Sequence, residues 1–334
     1  MILASQWRGE DLSMKRIPML IIMLAMIAVT ATACNSNTAS TGKQNSTANI
    51  KANIVLGDKI TINGKGAELT DNGITITEAG TYNISGTLKD GIVQVEAPEG
   101  TVNLVLDNVN IANSAGPAVF FSEIGEAIIT LKDGTENTLT DGGKSDNDAA
   151  IYSNATLTIK GGGALNVNGK NAEGISSTMH INIESGNIHV IAVEDGLNAN
   201  NNNVSAITVN SGYLYIQSET GNGINSKGTI NINGGTVIAM ASLTDAGGGL
   251  NADGDVIING GTVIATGAKN SLPVAASAQK SILFKFDSTQ AAKSTFSVQD
   301  EGGAIISFAP AISYQQVLYS SEKLADDITY YIYS

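Results

Sequence analysis

From about Asp90 to about Lys269 the chain repeats itself, and a repeat constrains the fold more than any other feature of this sequence. One motif is an apolar residue, a spacer, a small residue and glycine, followed by apolar alternation. It reads Ile183-Glu184-Ser185-Gly186, then Val209-Asn210-Ser211-Gly212, Ile232-Asn233-Gly234-Gly235 and Ile258-Asn259-Gly260-Gly261. An earlier copy, Ile159-Lys160-Gly161-Gly162-Gly163, has one extra residue. The aligned glycines Gly163, Gly186, Gly212, Gly235 and Gly261 are separated by steps of 23, 26, 23 and 26. A second marker, a small residue before an apolar one, keeps the same phase. It occurs at Gly91-Ile92, Ala118-Val119, Ala150-Ile151, Gly174-Ile175, Gly196-Leu197, Gly223-Ile224 and Gly249-Leu250, in steps of 27, 32, 24, 22, 27 and 26.

Several short β-rich runs per step fit one coil of a parallel β-helix. Each coil stacks on the last about 4.8 Å away, with apolar residues alternating into the bore. Glycine, asparagine and aspartate take the corners because they tolerate left-handed backbone angles. Leucine-rich repeats have a similar period, but their leucine-heavy consensus is missing. A propeller blade would be longer, at roughly 40–45 residues. The expected fold is all-β, a single-stranded parallel β-helix with a β-rich C-terminal segment.

The N-terminus is a targeting segment rather than structure. Met14-Lys15-Arg16 precedes an apolar run from Ile17 to Val29, then Thr30-Ala31-Thr32-Ala33-Cys34. A basic start, an apolar core and small residues before a cleavage point describe a secretory signal. The run is short for a membrane span, which needs about 20 apolar residues. Small residues before cysteine resemble a bacterial lipobox, which implies cleavage before Cys34 and lipidation of its sulfur. Met14 is then the expected start. The polar stretch Asn35 to Asn49 lacks aromatic residues and reads as a flexible tether. The expected organisation is a signal peptide over 1–33, a lipidated cysteine and tether over 34–50, a β-helix over 51–279 and a β-strand cap over 280–334.

Charge excludes one class of partner. The whole chain carries a formal charge of −13. The segment to be cleaved holds Trp7, Arg8, Glu10, Asp11, Lys15 and Arg16, so what remains has no tryptophan, no arginine and a charge of −14. Such a surface argues against nucleic acid, where cationic side chains must meet phosphates. It suits an extracellular protein and it suits calcium. The single cysteine leaves neither disulfides nor thiolate metal sites. His180 and His189 lie nine positions apart with no third imidazole. Zinc is therefore disfavoured, and both read as surface strand residues.

The residue before each small-apolar marker varies: Asp90, Pro117, Ala149, Glu173, Asp195, Asn222 and Gly248. Folding does not require acids there, so Glu173 and Asp195, in consecutive coils, are candidates for something more. Calcium takes six to eight oxygens from carboxylates, amides and backbone. Two clusters offer them. The first is Asp141, Asp146, Asn147 and Asp148, in the insertion within the step of 32; the second is Glu173, Glu194, Asp195 and Asn198. Carboxylates one coil apart at one corner would sit about 5 Å from each other and repel unless a cation lies between. Solvated turn acids are the plainer alternative.

Tyr213 and Tyr215 alternate onto one face of one strand and form a small flat platform, the kind of surface sugar rings stack on, unless they simply cover the coil. Lys170 and Lys227 offer cations to uronate carboxylates. A polysaccharide lyase would need a strong base. Without arginine the choice falls to Lys170 or Lys227. Glycoside hydrolysis would need paired carboxylates at roughly 5–10 Å, and Asp146, Asp148, Glu173 and Asp195 are the candidates. A structural or adhesive surface protein is the third class.

Several segments carry a resemblance. They are Gly80–Gly91 (GTYNISGTLKDG), Asn103–Ile111 (NLVLDNVNI), Ile129–Gly142 (ITLKDGTENTLTDG), Asp148–Ser153 (DAAIYS) and Val193–Leu197 (VEDGL). In this order, and with an aromatic ending from Ile306 to Tyr333, they closely resemble the clostridial carbohydrate-binding β-helix family over roughly residues 55–334. The resemblance implies a right-handed parallel β-helix related to pectate lyases. It also implies bound calcium and binding of cellulose or acidic, pectin-like glycans without established catalysis. The family often shows Asp-Asp-Gly-Ile at successive coils. Here the later coils read Asn222-Gly223 and Gly248-Gly249, so the acidic ladder thins toward the C-terminus.

Overall fold

The computed structural model describes residues 50–143 and 146–334. The signal segment, Cys34 and the tether lie outside the described residues. Three parallel sheets run through the stacked coils. From Ala149 onward each coil contributes one strand to each. Sheet 1 contains Leu157–Gly161, Ile181–Ile183, Ala206–Val209, Thr229–Ile232 and Val256–Ile258. Sheet 2 contains Ala164–Gly169, Asn187–Ala192, Tyr213–Ser218, Thr236–Met240 and Thr262–Gly267. Sheet 3 contains Ala149–Ser153, Glu173–Ser177, Leu197–Ala199, Ile224–Ser226 and Leu250–Ala252. In the earlier coils Ile92–Ala112 and Val119–Leu131 bend from sheet 3 into sheet 1 without a break.

The register explains why the repeat folds. Tyr82, Leu104, Ile129, Ile159, Ile183, Val209, Ile232 and Ile258 pair in one file along sheet 1. All eight are buried, as is the matching file Ile151, Ile175, Leu197, Ile224 and Leu250 in sheet 3. Every coil therefore covers the apolar side chains of its neighbours, and no coil has a core alone.

Two kinds of glycine hold the corners. Gly186, Gly212, Gly235 and Gly261, between sheets 1 and 2, have φ of 117°, 92°, 79° and 83°, a region that side-chain-bearing residues avoid. In the copy with one extra residue it is Gly161, at φ 105°, that takes this conformation, and not Gly163. Gly174, Gly196 and Gly223 stack in single file at the start of sheet 3, linked by Ile175 N–H to Gly196 O and Leu197 N–H to Gly223 O, both 3.0 Å. They are needed for close approach. A Cβ on Gly174 would lie 2.2 Å from Val190 Cγ1, and one on Gly196 would lie 2.1 Å from Ile216 Cγ2.

Both ends of the stack are covered, which removes edges that would otherwise pair with other chains. At the start, Ile50–Leu56 pairs antiparallel with Thr61–Gly64, and Ala67–Thr70 with Gly73–Ile76. At the other end, Tyr314–Ser320 pairs antiparallel with Thr262–Gly267 and with Ser281–Gln290. A three-stranded antiparallel sheet follows, with Phe296–Asp300 between Gly303–Phe308 and Tyr331–Tyr333. A second apolar cluster joins this segment to the outer face of sheet 2. It includes Ile238, Met240 and Ile264 from the coils and Phe286, Phe296, Tyr314 and Tyr319 from the segment.

Candidate functional site

The outward positions of sheet 3 form a column: Tyr152, Ser176, Asn198, Asn225 and Asn251 pair in register. In-register stacking lets each asparagine amide donate to the oxygen above it. Asn251 Nδ2 donates to Asn225 Oδ1 at 2.9 Å. Asn225 Nδ2 donates to Asp195 Oδ2 at 2.7 Å, and Asn198 Nδ2 to Glu173 Oε1 at 2.8 Å. The column thus ends on carboxylates, with every amide pointing toward them.

Glu173 is the unusual member. It is 8% exposed, and its second oxygen, Oε2, is buried without a hydrogen-bond partner. Burial pushes its carboxyl up to about 8, the charge of Asp148 adds to this, the Asn198 amide opposes it, and Asp195 contributes a little more in the raising direction. Tyr152 belongs to the same neighbourhood. Burial raises its hydroxyl, and the charges of Asp148 and Glu173 add to this, against a hydrogen bond with the Asn200 side chain. Its ring packs edge-on against Phe120, centroids 5.7 Å apart.

The acids predicted as calcium ligands are redistributed. Asp148 comes beside Glu173, although the sequence clusters separated them. Asp141 is buried but turned to another task. Its Oδ1 accepts the Lys170 backbone N–H, fixing the turn that leads into Glu173. Burial raises its carboxyl, and bonds from the Lys170 and Asn171 backbone oppose the rise. Asp146 and Glu194 are exposed. Asp195 does not face Glu173 bare, as the spacing suggests. Its Oδ1 takes the Asn222 backbone and side-chain N–H groups at 2.7 and 3.0 Å, and its Oδ2 takes Asn225. Three N–H groups from the next coil therefore already meet its oxygens. Among the described residues no three acidic, histidine or cysteine side chains group as a ready metal cluster.

The tyrosines lie on the outer face of sheet 2, and a third ring joins them. His189, in register with Tyr215, stacks on it at 5.4 Å and 26°, and lies 5.5 Å from Tyr213 at 37°. Tyr213 is 36% exposed; Tyr215 is half-buried against the C-terminal cluster, and burial raises its hydroxyl. Sequence reasoning treated His189 as an ordinary strand residue. The signal was present: His189 follows Gly186 by three residues, as Tyr215 follows Gly212. The lysines are elsewhere. Exposed Lys170 follows the sheet 2 strand, and Lys227, after sheet 3, pairs with Asp253 at 3.6 Å.

The fold and the sequence are similar to those of known proteins. A solved structure described as the polysaccharide lyase-like protein from C. thermocellum, a gadolinium derivative, superposes with a TM-score of 0.52 at 30% identity. The match covers 68% of this chain and 97% of that one. A carbohydrate-binding domain-containing protein from Acetivibrio thermocellus is 34% identical over 192 residues, 54% of this chain. The chain spans 66% of that relative's length, just under two thirds. The family model described as carbohydrate-binding domain-containing protein matches residues 70–307, so the chain belongs to that family.

Proposed function

We propose that the chain is a non-catalytic, calcium-stabilised polysaccharide-binding protein, held at the outer face of a bacterial membrane by lipid on Cys34. The binding reading rests on one observation, the His189–Tyr213–Tyr215 stack on sheet 2. Flat rings with polar tips suit the apolar faces and hydroxyls of sugars. Cellulose-like glucans meet no charge penalty there, whereas pectin-like polyuronates need calcium to bridge them to an acidic protein.

Calcium is supported by Glu173 Oε2. A buried carboxylate oxygen with no donor is costly unless a proton or a cation meets it. Glu173 and Asp148 would hold the ion, with amide, backbone and water oxygens completing the shell. Asp195 would not, because its oxygens already accept three bonds. When bound, the ion supplies charge neutralisation at Glu173. The structural neighbour is described as polysaccharide lyase-like and as a gadolinium derivative. A raised carboxyl beside a second carboxylate is also what acid–base chemistry needs, but a side chain 8% exposed gives a polymer little access.

The test is affinity electrophoresis of the full chain on cellulose-type glucan, pectate and xylan, with and without EDTA. Retention without product release is the expected result, with calcium needed on pectate. Unsaturated products absorbing in the ultraviolet would establish a lyase instead. No retention on any glycan would leave the structural, adhesive reading.

A further inference from the structure

The three-stranded sheet near the C-terminus presents a second aromatic face, separate from the sheet 2 stack. Alternation puts Ile332 inward, against the second apolar cluster, and sends Tyr331 and Tyr333 outward. They are 47% and 55% exposed. Their cross-strand partners are Gln299 and Ser297, and Ser297 pairs in turn with Ser307. Gln299 Nε2 donates to Ser297 Oγ at 3.1 Å, holding the amide flat along the sheet. The outward positions are thus two phenols, two hydroxyls, an amide and the methyl group of Ala304, with no charge among them. The tyrosines stand roughly 7 Å apart along the strand.

This composition is unexpected for an outer strand. Exposed edges are normally blunted with charges or proline, and this chain carries a charge of −13 to draw on. Tyr331–Tyr333 is an edge strand with two exposed rings and no charge. Rings with hydroxyl tips, flanked by neutral donors and acceptors, complement an uncharged, hydroxyl-rich ligand and offer nothing to a carboxylate. The inner side of this sheet, through Ile332, packs on the same apolar cluster as Tyr215.

We infer that the outer face of this sheet, centred on Tyr331 and Tyr333, is a second carbohydrate-binding platform, selective for uncharged glycan chains. Two modest platforms on one rigid body raise retention on a long polymer well beyond either alone, because the second contact is intramolecular. The inference depends on carbohydrate binding being the function, but not on the sheet 2 stack being the site.

The experiment compares Tyr331→Ala/Tyr333→Ala, Tyr213→Ala/Tyr215→Ala and the fourfold variant of the full chain. Each is run by affinity electrophoresis in hydroxyethylcellulose and in polygalacturonate. Expected is an approximately tenfold or greater loss of retention in hydroxyethylcellulose for Tyr331→Ala/Tyr333→Ala, the range of an aromatic hot spot. The fourfold variant should lose more than either pair, and polygalacturonate retention should be unchanged by the C-terminal pair. Ser307→Glu adds a carboxylate on the same outward face without removing any ring, and should weaken hydroxyethylcellulose retention if the alanine variants fold poorly. Unchanged retention for Tyr331→Ala/Tyr333→Ala and Ser307→Glu, with loss for Tyr213→Ala/Tyr215→Ala, would overturn the second platform and leave the proposed function standing. No effect from any variant would remove both. A dimer by sedimentation that the C-terminal pair converts to monomer would overturn it too, making the face a contact between copies.

Discussion

Two columns of asparagine run along this molecule, and they differ in one respect. At the corner between sheets 1 and 2, Asn259 donates to Asn233 at 2.9 Å and Asn233 to Asn210 at 2.8 Å. Asn210 then donates to both oxygens of Glu184 at 3.0 Å. On sheet 3, Asn251, Asn225 and Asn198 make the equivalent column and end on Asp195 and Glu173. The corner column is exposed, and its terminal glutamate has both oxygens engaged and water around it. The buried column leaves one glutamate oxygen without a donor and Asp148 nearby. The same repeat-built device is fully hydrogen-bonded in one place and carries a buried, unpartnered oxygen in the other. Burial and one missing donor make the difference.

The largest expected effect comes from that missing donor. With EDTA present, unfolded Glu173 loses its proton near 4.5, and folded Glu173 near 8. Between these the native state holds a proton that the unfolded state has released, so stability falls as pH rises from about 4.5 and levels out above about 8. At roughly 1.4 kcal/mol per pH unit of displacement, the loss is about 5 kcal/mol. Urea unfolding across this range should show it, and Glu173→Gln should flatten the curve. A Glu173→Gln profile as steep as wild type would put the burden on another acid and dissolve the contrast between the columns.

Calcium should give the next largest change. At a hundredfold excess over Kd, an ion binding only the native state adds about 2.7 kcal/mol. Melting of the full chain at pH 8 should rise with calcium, and the rise should vanish in Glu173→Gln. Asp195→Ala should melt lower without calcium yet keep the increment. If Asp195→Ala loses the increment and Glu173→Gln keeps it, the ion sits one coil further along than Glu173.

Much of the fold was legible because a coil has no core of its own, so stacking had to impose a fixed period on glycines and apolar residues alike. Gly174, Gly196 and Gly223 show this: the step between them is the circumference of a coil. The carbohydrate-binding family was legible in ordered motifs such as DAAIYS at Asp148–Ser153. The site was only partly so. Sequence spacing put Asp195 opposite Glu173, but it did not reveal that Asn222 and Asn225 already occupy its oxygens, because amide donors come from the following coil. It put Asp141 with Asp148, although a turn at Lys170 captures Asp141. His189 was missed because a lone histidine carries no pattern until its register against Tyr215 is known.

Breaking the buried column in its middle should cost about 2 kcal/mol. Asn225→Ala deprives Asp195 Oδ2 of a 2.7 Å donor in a buried setting, and hydrogen bonds to charged groups are worth about 1.5–3 kcal/mol. Guanidinium unfolding would measure it, with an unchanged m-value expected if the coils stay intact.

The smallest effect belongs to the corner column, and it makes the sharpest control. Asn233→Ala removes a donor to Asn210 and an acceptor for Asn259, as Asn225→Ala removes a donor to Asp195 and an acceptor for Asn251. Asn259 is exposed and Asn210 only half-buried, so water replaces what is lost. The expected cost is about 0.5 kcal/mol, the scale of a surface substitution. The ratio between Asn225→Ala and Asn233→Ala, rather than either value, tests whether burial separates the columns. Equal costs would mean that the amide stack itself, wet or dry, holds the coils in register. Glu173 would then be a ligand candidate by position alone.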